Sequence, residues 1–61
     1  MFNEQNKMIW FIVSYETKDE PGVKKWTYIR ADNPREAESV AKVRLSERYV
    51  EVPTILEVKA I

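Results

Sequence analysis

Residues 8–34 read MIWFIVSYETKDEPGVKKWTYIRADNP, a stretch that holds both tryptophans and two of the three tyrosines of the chain. From Met8 to about Lys18 the residues are largely β-branched and aromatic, the composition of a strand. DEPG (Asp19–Gly22) then sets a proline beside the single glycine of the chain, a strong turn signal. Val23 to Ala31 reads as a second strand, and the two strands make a hairpin. In DNPREA, Asn33 can cap a helix by accepting from a free backbone N–H, and Pro34 suits the first helical position, where no donor is needed. Glu36 follows Asn33 by three residues, in capping-box register.

The spacing predicts a helix over 34–48 with an inner stripe of Ala37, Val40, Ala41, the stem of Arg44, and Leu45. Glu38 and Lys42 form an outer i,i+4 pair. Pro53 ends any continuation, and TILEVKAI supplies a third strand in which Leu56, Val58 and Ala60 face inward while Glu57 and Lys59 face out. The expected fold is therefore α+β: a ββαβ two-layer domain over residues 8–61, with one helix on a three-stranded antiparallel sheet. Strand 1 is the most apolar and takes the centre, giving the order 2-1-3 with a right-handed crossover. Residues 1–7 are polar and are expected to form a flexible N-terminal segment.

Strand side chains alternate between faces. With Ile9, Phe11, Val13 and Tyr15 placed inward beside Thr27, Ile29 and Ala31, a single helix completes a two-layer core. The other face then carries Met8, Trp10, Ile12, Trp26, Tyr28 and Ile55. A one-residue slip would exchange the two sets, leaving Phe11, Val13 and Tyr15 outside instead. Either way one apolar face lacks a second layer. Three covers are open for it: residues 1–7 with Phe2, Arg30 with the lysine stems, or another molecule. Trp, Tyr and Arg dominate the energetics of interfaces, so Trp10, Ile12, Trp26, Tyr28 and Arg30 are the candidate partner-binding residues.

Composition narrows the chemistry. A chain of 61 residues is one domain at most, and a domain of this size buries only about 60 % of its unfolded surface, so its stability is marginal. Cysteine and histidine are both absent, which removes disulfides and the two best transition-metal ligands; neither a metal nor a cofactor is expected. Ser14, Ser39 and Ser46 have no histidine to activate them. Glu16, Asp19 and Glu20 crowd the hairpin turn and read as solvated surface. One glycine makes no phosphate-cradling loop. The expectation is a non-enzyme without a small-molecule substrate.

Ten basic and ten acidic residues cancel, so no global charge draws nucleic acid or anionic lipid. The longest apolar run, Met8–Val13, is far short of a membrane span, and MFNEQNK has no apolar run of the signal-peptide kind. A cytoplasmic protein is expected. Two binding classes follow. One is a module that binds a protein, host or self (a homodimer), through the sheet face or an open edge. The other is a homodimeric single-strand nucleic-acid binder that stacks bases on Trp10, Trp26 and Tyr28 with Lys24, Lys25 and Arg30 near the phosphates.

On TYIRADNPREAESVA and the order of its elements, the chain resembles the small RNA polymerase inhibitors of short-tailed lytic coliphages: ββαβ order, a strand ending in IRAD, the cap, and REAESVA on the helix. The similarity spans roughly Met8 to Lys59. It implies a phage-encoded, non-enzymatic protein that docks on host RNA polymerase and obstructs DNA entry. In that family, arginines alternating on the third strand carry the contact. The matching positions here are Glu57 and Lys59, one reversed in charge and one conservative.

Overall fold

The structure is a computed structural model that describes residues 8–61. The segment 1–7, with its suggested fold-back onto the sheet, lies outside the described residues. Three strands and one helix follow in the order β1 (Ile9–Glu16), β2 (Lys25–Ala31), α1 (Pro34–Arg48) and β3 (Thr54–Ala60). Both β2 and β3 pair antiparallel to β1, giving the order β2-β1-β3. This is the α+β, two-layer arrangement that the sequence pattern predicts.

Local chemistry sets the boundaries. At the hairpin, Val23 N–H donates to Glu20 C=O at 3.1 Å, and Gly22 has φ 84°. Proline at the second position and a positive φ at the third are the marks of a type II turn. Apart from Gly22 and its two chain neighbours, no atom lies within 4 Å of where a Cβ on Gly22 would stand, so the constraint there is the backbone angle and not space. Gly22→Ala is therefore expected to lower stability by about 1–2 kcal/mol, read from the urea midpoint.

At the helix start, Glu36 N–H donates to Asn33 Oδ1 at 2.9 Å, while Glu36 Oε1 accepts from Asp32 N–H at 2.7 Å. The box closes one residue earlier than its usual form, on the residue before the cap. Replacing Asn33 with alanine frees the Glu36 N–H and is expected to cost about 1 kcal/mol, measurable in the same titration. Lys42 and Glu38 meet at 3.3 Å.

The core lies between helix and sheet. Phe11, Val13, Ile29 and Ala31 from the strands pack with Ala37 and Ala41 from the helix, and Val40, Ile55 and Val58 flank them. Tyr15 and Leu45 are buried as well. The two helical alanines have no solvent exposure, which lets α1 approach the sheet closely. The register with Phe11, Val13 and Tyr15 inward is thus the one adopted.

Three expectations need correction. Ser14 pairs with Glu57 but Tyr15 pairs with Ile55, so Leu56 is an extra residue in a β-bulge. The bulge reverses the parity of β3 on its N-terminal side. Ile55, expected outside, joins the core, and Leu56, expected inside, is 48 % exposed. Arg44 is exposed along α1 and does not lay its stem into the core. Ile9 and Ala60 keep inner-face register but are exposed, because they stand at the ends of their strands where the helix cover runs out.

Candidate functional site

Cross-strand partners share a face, so the two registers place the outer side chains of three successive rows. Across the sheet from β2 to β3 the first row is Arg30, Trp10 and Ile61, the last of these tied in by its N–H donating to Trp10 C=O at 3.1 Å. The second row is Tyr28, Ile12 and Lys59, and the third is Trp26, Ser14 and Glu57. All seven side chains singled out from sequence, Trp10, Ile12, Trp26, Tyr28, Arg30, Glu57 and Lys59, therefore stand on one face.

The face is divided in character. Its β2 and β1 columns carry the rings, with Trp10 51 %, Trp26 56 % and Tyr28 57 % exposed. Its β3 column carries charge and ends in Ile61. Arg30 Cζ lies 5.9 Å from the Trp10 ring centre and Lys24 Nζ lies 6.0 Å from that of Trp26. Each cation is held over a ring by the attraction of its quadrupole. Three large aromatic side chains present about 150–250 Å² each, and these are only half covered, on rigid strands and not on loops.

Residues beyond the expected set complete the surface. Ser14 is 3 % exposed, and its Oγ has no hydrogen-bond partner. It is the smallest side chain of the face, between Trp26 and Glu57, and it is closed off from solvent. Alternation along β1 places Ser14 there, although a serine in an apolar strand gives no signal of its own. Ile61 adds apolar area at the end of the β3 column, and Leu56, unpaired in the bulge, is exposed as well.

The opposite end of the sheet is a separate cluster. Tyr15 and Tyr49 meet edge to face at 6.1 Å between ring centres, Lys25 Nζ lies 6.0 Å from the Tyr49 ring, and Lys25 also pairs with Glu20. Lys18 bridges to Glu51 at 3.1 Å. Of the turn carboxylates, Glu16 accepts from Gly22 N–H and Glu20 takes Lys25. Among the described residues no three acidic side chains converge where a cation could sit. A shallow depression of about 400 Å³ beside this cluster is lined by Thr17, Lys18, Asp19 and residues 48–51. No helix of the described residues is long and apolar enough to cross a membrane.

Hydrogen bonding to Tyr49, and then burial, raise the Tyr15 hydroxyl above its ordinary value, and the Glu20 partner likewise raises Lys25. Both folded values are raised, so their stability is fully present below the unfolded pKa values, about 10 for tyrosine. It is lost as pH climbs through the folded values. Tyr15→Phe is expected to make the alkaline loss of stability shallower without abolishing it, since Lys25 contributes in the same window. Urea midpoints followed from pH 9 upward check this.

A scan against protein-family models finds no match, and searches of curated proteins and of solved structures return no similar chain.

Proposed function

We propose that this chain is a small non-enzymatic protein-binding module, an inhibitor or adaptor whose working surface is the outer sheet face. The observation that carries the reading is the half-exposed set of Trp10, Trp26 and Tyr28, with Arg30 seated on Trp10. Rings held on strands lose little freedom when a partner arrives, and Trp, Tyr and Arg supply most of the energy at interfaces. The resemblance in element order and strand–cap–helix sequence supports a phage origin and bacterial RNA polymerase as the first target to test. Lys59 would offer it a point charge and Glu57 an opposite one.

The test is binding of the chain to purified bacterial RNA polymerase, with inhibition of transcription as a second readout. Saturable binding that Trp26→Ser weakens supports the reading. No binding removes polymerase as the target. Variants at Trp10 and Trp26 that retain every partner interaction remove the face as the surface.

A second reading draws on the two cations resting on indoles, Lys24 on Trp26 and Arg30 on Trp10. In it the face stacks unpaired bases, and the cations meet phosphates. Tryptophan quenching by single-stranded oligonucleotides at low salt, lost at high salt, would support it. Glu57 on the same face and a net charge of zero weigh against it.

A further inference from the structure

The geometry points to a second copy of this chain as an occupant of the outer face, packed sheet to sheet with the strands of the two copies crossing near a right angle. The inference rests on reading that face as a binding surface, and it names the partner from the order of charges on it. When two identical faces meet about a two-fold axis lying between them, each position is mirrored across that axis. The nine positions of these three rows, with the Glu16–Thr54 row beyond them left outside the contact, then allow four simple choices of axis.

An axis along the strands sets Arg30 over Ile61 and Trp26 over Glu57. One across the strands sets Ile61 over Glu57. The diagonal through Arg30 and Glu57 stacks Arg30 on Arg30 and Glu57 on Glu57. Each leaves a charge against an apolar group or against its own sign, which an interface avoids.

The remaining diagonal runs from Trp26 through Ile12 to Ile61. It lays Arg30 over the second copy's Glu57, and Trp10 over the second copy's Lys59. Tyr28 comes to face Ser14, the smallest side chain of the nine. The three side chains on the axis, all apolar, meet their own copies. Of the nine positions, both cations, Arg30 and Lys59, then face a carboxylate or a ring, and the phenol of Tyr28 faces the smallest side chain.

The dimensions permit it. Rows stand roughly 6.8 Å apart and strands about 4.8 Å apart, so a diagonal fold displaces facing positions by only roughly 2–3 Å. Side chains as long as arginine, lysine and glutamate span that, and near-perpendicular crossing is one of the two ways in which sheets stack. A patch of nine residues is at the low end of interface size, below about 1,200 Å² in total. The dimer is accordingly weak and concentration-dependent, and it competes with any foreign protein for the same rings.

The experiment is sedimentation velocity on the natural chain, on Arg30→Glu, on Glu57→Arg, and on an equal mixture of the two variants, with circular dichroism to confirm that each is folded. In the diagonal dimer either single change turns two attractive contacts into two repulsive ones. Each variant alone is expected to dimerise at least about tenfold more weakly than the natural chain. The mixture restores both contacts and forms a one-to-one heterodimer close to natural affinity.

A natural chain that stays monomeric up to millimolar concentration overturns the dimer. So does a dimer that tolerates Glu57→Arg, which would instead be built on the open β2 edge, or a mixture that fails to recover. Binding of purified RNA polymerase to a strictly monomeric chain sinks the dimer and leaves the binding-module reading standing. A charge-dependent dimer with no polymerase binding does the reverse to the choice of target.

Discussion

Phe11→Ala is expected to remove about half or more of the chain's folding stability at 25 °C. Phe11 is among the largest fully buried side chains, on the central strand, packed under Ala37 and Ala41 and beside Ile29. Cutting a buried phenylalanine to alanine costs about 3–5 kcal/mol. At about 0.05–0.15 kcal/mol per residue, a chain of this length holds only roughly 3–9 kcal/mol in all. No disulfide adds to that margin, since the chain has no cysteine. Far-UV circular dichroism against urea reads the result: the folded baseline shortens or vanishes. A midpoint close to that of the natural chain would show that the cohesion lies elsewhere than under the helix.

Trp10→Ser combined with Trp26→Ser is expected to have the opposite profile. Both indoles are outward and half exposed, and neither belongs to the core. The double variant should keep its stability to within about 1 kcal/mol. Its affinity for a bound protein should fall by at least about 100-fold, because truncating central aromatic anchors costs 2 kcal/mol or more. Thermal melting and titration against the same partner, run side by side, separate the two effects. Partner binding that survives the loss of both rings would move the surface to a sheet edge or to the helix.

The sequence made the helix easy to place because its start is written in side-chain chemistry. Asn33, Pro34 and Glu36 each have one clear reason to stand where they do, and the observed cap bond confirms the first and third. The order of strands was equally legible, since only β1 is apolar enough to be flanked on both sides. The inward set on β1 and β2 followed from simple alternation.

The third strand was harder. Ile55 and Leu56 are adjacent and both apolar, so alternation could favour either, and a bulge adds a residue without leaving a mark in composition. The position of Arg44 depended on how far the helix overhangs the sheet, which is a property of packing and not of period. Of the face itself, the aromatic members were visible in the sequence. Ser14 and Ile61 were not singled out, because their importance lies in what stands across from them.

Acrylamide quenching of tryptophan fluorescence in a dilute solution of the complete chain tests the central claim most directly. If another molecule must finish the outer face, both indoles are half open in the free chain and quench well above the level of buried tryptophan, and both become protected when a partner binds. If both are already shielded in the dilute chain, its own residues cover the face and the claim fails.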